Sequence, residues 1–267
     1  MSGSAGIVSP MGQTGRMARY VTFSQTGGPE VLEVNEGPEP VPGEGQVVVE
    51  IRAAGVNPID WKLRAGIRPS GPFEEPRRVG FDGAGVISAI GPDVDGCSVG
   101  DEVVVENTQG TYATHVLASP ENLTAKPSGV SFEVAAALGV PVSTAYQALS
   151  SLEVEEGDRL LLHGGSGAVG QAAIQLARSR GAEVVATASE RNHERLRELG
   201  AVPVTYGDGL LERLRDAQPA GYTVSLDCAG TDEALEASLE LVDRSRIGTI
   251  VQGAQYHEMG LQAWSGG

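Results

Sequence analysis

The chain has 267 residues, enough to bury one large or two modest cores, and its 40% hydrophobic and 20% charged content is ordinary for a soluble globular protein. A formal net charge of -16, from 35 acidic against 19 basic residues, argues against a nucleic-acid or anionic-membrane partner, yet leaves room for a phosphorylated cofactor held by backbone amides and one or two local cations. Two cysteines, Cys97 and Cys228, are too few for a disulfide framework or a cysteine-based zinc site and point to a reducing cytoplasm, and no apolar run approaches the ~20 residues of a membrane span.

Residues 1–16 lack the apolar core of a signal peptide and read as a disordered leader; regular patterning begins at Met17. From there to residue 130, short β-type runs at 46–51 (QVVVEI), 85–90 (GVISAI) and 102–105 (EVVV) are punctuated by glycine and proline, which predicts an irregular, mainly β domain. From residue 131 the period changes. Apolar strands expected at 159–162, 183–187, 202–205, 223–226 and 248–251 alternate with helical stretches at 169–180 and 190–199, stopped by Gly181 and Gly200. Alternating strands and helices predict βαβ units and a doubly wound parallel sheet over 131–267, an α/β fold.

The turn between the first of these strands and its helix, Leu162-His163-Gly164-Gly165-Ser166-Gly167-Ala168-Val169-Gly170, carries the dinucleotide fingerprint G-x-G-x-x-G. In that reading Gly165 permits the tight turn, Gly167 lets backbone amides approach a pyrophosphate, and Gly170 lets helix and strand pack closely. Ser166, Ala168 and Val169 complete the anion site at the head of the helix, where free amides and the macrodipole both favour negative charge. A P-loop would require Lys after Gly170, where Gln171 stands, and a nucleophile elbow would require Gly where Ala168 stands.

An NAD site usually closes its second strand with an acid for the ribose hydroxyls. Here that place is Ala188, followed by Ser189, a hydrogen-bond donor, and Arg191, a partner for a phosphate dianion; Tyr206 past the next strand can close the same pocket. The combination favours NADPH. Glu190 is the rival, since an inward carboxylate would select NADH.

Gly157-Asp158-Arg159-Leu160-Leu161, Gly165 to Gly170 and Gln175-Leu176-Ala177-Arg178 together resemble the signature of the zinc-independent quinone oxidoreductase/zeta-crystallin branch of the medium-chain dehydrogenase/reductase superfamily, with Ala168 where that signature has glycine. Gly27 to Leu32, Ala54 to Lys62, Gly80 to Gly85 and Val99 to Val103 are similar to further landmarks of the branch. The resemblance implies a GroES-like catalytic domain (17–130) followed by a Rossmann NADP-binding domain (131–267), with the active site in the cleft between them. Zinc-dependent relatives carry Cys and His where Asn57 and Phe81 stand, so no metal is expected; His115, His163, His193 and His257 show no ligand spacing and read as turn or surface residues.

By the same resemblance, Asn57 and Lys62 are the catalytic candidates, beside the nicotinamide and the acceptor oxygen, and Thr144, Gly230 and Gly253 line the cofactor. The expected reaction is hydride transfer from NADPH to a quinone or α,β-unsaturated carbonyl, because without a metal or strong base a conjugated acceptor must itself spread the developing charge. An enoyl-type reductase and a catalytically idle NADPH-binding protein are the alternatives. The resemblance also implies a homodimer formed through the Rossmann sheet edge, and a continuation of the fold past Gly267, where the sequence reads as an interrupted loop.

Overall fold

The computed structural model describes residues 15–68, 71–251 and 253–264, so the expected leader lies outside the described residues except for Gly15 and Arg16. The chain forms two units, divided between Ala137 and Leu138.

In the first unit the order is β1 (Met17–Phe23), β2 (Glu33–Pro38), β3 (Val47–Ala54), α1 (Pro58–Arg64), β4 (Arg77–Arg78), β5 (Gly83–Ile90), β6 (Glu102–Val105), β7 (His115–Ala118), β8 (Leu123–Ala125) and α2 (Phe132–Ala136). Among the described residues the strands make two antiparallel sheets, β2-β1-β4 and β7-β3-β5-β6-β8. The period of two decides the faces: Val47, Val49, Ile87, Val103 and Val105 point into one core. On the other side, Ala84 and Val104 are covered by Ala135 and Ala136 of α2. That helix, capped by the Ser131 hydroxyl on the Val134 amide, packs on β3, β5 and β6. This is why the unit runs to Ala137 rather than stopping at residue 130.

The second unit holds α3 (Gly139–Ser151), β9 (Arg159–His163), α4 (Ala168–Ser179), β10 (Glu183–Thr187), α5 (His193–Glu198), β11 (Val202–Val204), α6 (Leu210–Ala217), β12 (Val224–Asp227), α7 (Asp232–Leu241), β13 (Ile247–Thr249), α8 (Gly253–Glu258) and β14 (Gln262–Ala263). Its sheet, six strands among the described residues, is parallel with order β11-β10-β9-β12-β13-β14, the third-second-first-fourth-fifth-sixth order of the Rossmann fold. Leu160 and Leu162 enter one core with Ala148, Leu149, Ala173, Ile174 and Leu196 from α3, α4 and α5. Leu161 enters the other with Leu210, Leu214, Leu235 and Tyr256 from α6, α7 and α8. Burial on both faces is why these strands read as unbroken apolar runs rather than alternating ones.

Several ends shift by a residue or two from the sequence expectation, each for a local reason. Thr223 lies outside β12, its hydroxyl donating to Asp158 and accepting from the Arg159 amide. The run at 248–251 ends at Thr249, whose hydroxyl accepts from the Val251 amide. The helix expected over 190–199 is split into a 3-10 turn, Glu190–Asn192, and α5, because Ser189 turns the chain and accepts from the Asn192 side chain.

Candidate functional site

β9 delivers His163 to the turn at the head of α4. The residue in the left-handed region is Gly164, at φ +78, so the tight bend belongs to Gly164 and not to Gly165. Gly165 serves packing instead: a Cβ there would lie 2.7 Å from the Ala186 Cβ and 3.2 Å from Leu196 Cδ2. At Gly170 a Cβ would collide with the Gly164 carbonyl oxygen and lie 2.8 Å from Gly165 Cα, so the bare glycine lets α4 pack against the turn itself. Gly167 is exposed, and a Cβ on it would meet nothing closer than the Gly164 oxygen at 3.5 Å. The turn is braced by Gly164 N donating to Thr187 Oγ1 (3.2 Å) and Gln171 Nε2 donating to the Ser166 carbonyl (3.0 Å). The amides of Ala168, Val169 and Gly170 have no acceptor within the helix, and no acidic residue occupies its first turn. These free amides, beside the exposed Gly167, fit a pyrophosphate.

At the end of β10, Ala188 is buried and brings no carboxylate. Ser189 is half-buried, while Glu190 and Arg191 are exposed in the following 3-10 turn; Arg191 makes no ion pair among the described residues. Tyr206, 55% exposed, stands just past the adjacent strand β11. The ends of these two strands are held by His193, whose Nε2 lies 3.4 Å from both the Ala188 carbonyl oxygen and Thr205 Oγ1, a role the sequence reading did not assign.

A buried polar cluster that sequence reasoning missed lies at the carboxyl ends of β9, β10, β12 and β13. Asp227, 1% exposed, accepts from the amides of Ala229 (2.8 Å) and Gly230 (2.9 Å) through Oδ1, and from Thr249 Oγ1 (2.9 Å) and Tyr256 Oη (3.3 Å) through Oδ2. His163, expected at a turn or surface, is 1% exposed; Nδ1 lies 3.4 Å from Thr187 Oγ1, and Nε2 is buried with no hydrogen-bond partner among the described residues. Burial pushes the imidazole down to about 4, against the opposing pull of the Asp227 carboxylate, so it is neutral at physiological pH. Burial and Asp227 push the Cys228 thiol far above its ordinary range, which suits an inert side chain better than a nucleophile. The signal for this cluster was present in Asp227-Cys228-Ala229-Gly230, an Asx-turn sequence closing an apolar strand.

Gly230 adopts φ +68, whereas Gly253 opens α8, with no atom within 4 Å of a Cβ built on it. Thr144 is half-buried on α3. The hydroxyl that bonds back along this helix is that of Ser143, to the Gly139 carbonyl at 2.8 Å.

In the first unit Asn57 caps α1 and is 6% exposed. Its amide N–H donates to Asp60 Oδ2 (2.8 Å) and its Nδ2 to Asp82 Oδ2 (2.7 Å), so a carboxylate acceptor fixes which way the side-chain amide faces. Tyr112 Oη also donates to Asp60 (2.9 Å). Burial raises the Asp60 carboxyl, against the lowering effect of the Asn57 and Tyr112 hydrogen bonds. Lys62 is half-buried on α1, its carbonyl accepting from the Ile67 and Arg68 amides. A cleft of about 260 Å³ borders this helix, lined by Phe23, Asp60, Leu63, Val79, Phe81 and Gln109 among others. Neither the Asn57 amide, engaged with Asp82, nor the Phe81 ring supplies a thiolate or imidazole donor for zinc.

Residues 43–148 match the family described as Alcohol dehydrogenase GroES-like domain, and residues 168–260 the one described as Zinc-binding dehydrogenase. A quinone oxidoreductase of Lama guanicoe is 39% identical over 184 residues, 68% of this chain but 56% of the relative, so the chain spans little more than half of that protein. A quinone oxidoreductase of Salmonella typhimurium is 33% identical over 234 residues, 85% of this chain and 71% of the relative. Among solved structures, the quinone oxidoreductase of Coxiella burnetii is 31% identical with a TM-score of 0.76, covering 93% of this chain and 82% of its own. The Escherichia coli quinone oxidoreductase complexed with NADPH is 27% identical with a TM-score of 0.78, and the CurK enoyl reductase 26% identical with 0.81; each likeness covers 92% of this chain and 80% of the other.

Proposed function

Because the chain belongs to the quinone oxidoreductase branch of the medium-chain dehydrogenase/reductase superfamily, we propose that it is an NADPH-dependent oxidoreductase that reduces a quinone or α,β-unsaturated carbonyl without a metal. The observation that carries this reading is the acid-free amide cradle at the head of α4, paired with a β10 end where Ala188 replaces the ribose-binding carboxylate. Likeness to a structure complexed with NADPH supports the same cofactor.

A bound nicotinamide supplies the hydride. The chain's part is to bind and orient. The amides of Ser166, Ala168 and Val169 take the pyrophosphate; Ser189, Arg191 and Tyr206 take the 2′-phosphate; Thr144, Gly230 and Gly253 line the rest of the cofactor site. Asn57, held in one orientation by Asp82, and Lys62 serve the acceptor oxygen as hydrogen-bond partners as negative charge develops on it. A conjugated acceptor suits such weak polarisation, whereas simple alcohol oxidation would need a stronger base or a metal.

The test is a fluorescence titration of NADPH against NADH, then loss of NADPH absorbance with a quinone, an enone and an enoyl thioester. Tighter NADPH binding, by about tenfold or more, and consumption with the quinone or enone are expected. Preference for NADH, or binding without consumption of any acceptor, would overturn the reading. The likeness to the CurK enoyl reductase favours one second reading, an enoyl-type reductase, which turnover confined to the thioester would establish.

A further inference from the structure

Asp227 is a carboxylate almost wholly removed from water that makes no ion pair among the described residues. Burying such a charge costs several kcal/mol unless hydrogen bonds offset it. Here four donors do so, and they come from three separate pieces of chain: the Ala229 and Gly230 amides beyond β12, Thr249 at the end of β13, and Tyr256 on α8. One side chain therefore fixes two loops and a helix at the carboxyl edge of the sheet, where doubly wound folds take their ligands.

A second observation links this cluster to the glycine turn. Gly164 lies backbone to backbone against the loop after β12: a Cβ on it would stand 3.0 Å from the Cys228 carbonyl carbon, 3.1 Å from its oxygen and 3.2 Å from the Ala229 nitrogen. The Cys228 amide donates to the His163 carbonyl at 3.0 Å, and His163 is the register partner of Asp227 across β9 and β12. The bend of the phosphate turn and the loop shaped by Asp227 are thus in direct contact, and a shift of one displaces the other.

We propose that Asp227 is a positioning residue for the nicotinamide cofactor, holding the 228–230 and 249–251 segments so that residue 164 and the turn it opens keep the shape that receives the dinucleotide. The inference rests on the cofactor reading above and assigns to Asp227 an action through its neighbours.

The test compares Asp227→Asn with Asp227→Ala in the full chain. In the amide variant Oδ1 still accepts from the two amides, while Nδ2 donates to the Thr249 and Tyr256 oxygens, whose hydroxyls can accept. NADPH affinity should therefore stay within about threefold of wild type. In the alanine variant the dissociation constant should rise about tenfold or more, with the circular dichroism spectrum retained and amide exchange faster over 164–170 even without nucleotide. A folded alanine variant that bound NADPH as wild type does, or an amide variant as weak as the alanine one, would overturn the proposal. Should the alanine variant fail to fold, Thr249→Val with Tyr256→Phe removes both donors to Oδ2 and, with the Thr249 hydroxyl, the acceptor of the Val251 amide. Weaker NADPH binding with faster exchange at 229–230 is then expected, and unchanged affinity would overturn the assignment. A wild-type chain that bound neither NADPH nor NADH would instead overturn the cofactor reading, and this inference with it.

Discussion

Two glycines three positions apart separate folding from binding at the scale of single residues. A methyl on Gly170 has nowhere to go but into the Gly164 carbonyl, so Gly170→Ala is expected to lower stability by about 1–3 kcal/mol, read by urea unfolding. A methyl on Gly167 meets only ordinary contact. Gly167→Ala should leave the unfolding midpoint nearly unchanged while weakening NADPH binding by about tenfold, because the methyl stands where amides must approach a phosphate. Equal effects of the two substitutions on stability would contradict this division of labour. The triplet was legible in the sequence, but which glycine bends was not: a φ of +78 at Gly164 depends on the path between β9 and α4, and the motif's spacing drew the assignment to Gly165. His163 was misread for a related reason, since a histidine beside glycines looks like a turn residue until the strand carrying it is known to be buried on both faces.

That histidine also gives a pH dependence with a definite sign. Its folded pKa, about 4, lies below the unfolded value near 6.5. Between those values the unfolded chain binds a proton that the folded chain does not, so stability falls as pH drops from about 6.5 towards 4, by up to about 3 kcal/mol in all. Urea unfolding at pH 7, 6 and 5 should show a shallower decline in His163→Gln than in wild type; parallel declines would assign the dependence to other groups.

At the scale of elements, two aspartates tie opposite edges of one sheet. Asp227 works at the carboxyl ends of the strands. Asp158 works just before β9, accepting from Thr223 Oγ1 (2.6 Å), the Glu155 amide (3.0 Å) and Arg246 (2.8 Å), and so joins the amino ends of β9, β12 and β13. Burial pushes its carboxyl up, but these hydrogen bonds and the Arg246 charge outweigh it and hold it below the usual range. A depressed carboxylate contributes stability above its unfolded pKa, near 3.9, and loses it as pH falls through the folded value. Asp158→Asn should therefore cost about 1–2 kcal/mol at pH 7, with the gap from wild type closing below about pH 4 in thermal melts. A gap independent of pH would mean that packing, not charge, carries the effect. The apolar runs of the parallel strands were plain in the sequence because both faces are buried. Their end residues were not, because hydroxyls such as those of Thr223, just before β12, and Thr249, at the end of β13, decide where pairing starts and stops. The short α2 escaped notice for want of length: five residues carry too little of a helical period to be seen.

For the molecule as a whole, the change from punctuated β runs to alternating strands and helices pointed to two units, and the glycine turn with its acid-free neighbour marked the candidate cofactor site. The polar cluster around Asp227 stayed hidden because it is assembled from four strand ends that only the Rossmann strand order brings together. The two units differ in one further respect that experiment can use. The chain has two tryptophans, and each unit holds one: Trp61 on α1, 44% exposed, and Trp264 beyond β14, whose indole covers Gly248 of β13. Replacing either by phenylalanine leaves a single emitter, so the denaturation of each unit can be followed by its own colour. Trp264, packed against the sheet, should redden on unfolding far more than the already hydrated Trp61. If the two traces superimpose in urea, the units melt as one cooperative body; if they separate, the order of their midpoints says which half of the protein supports the other.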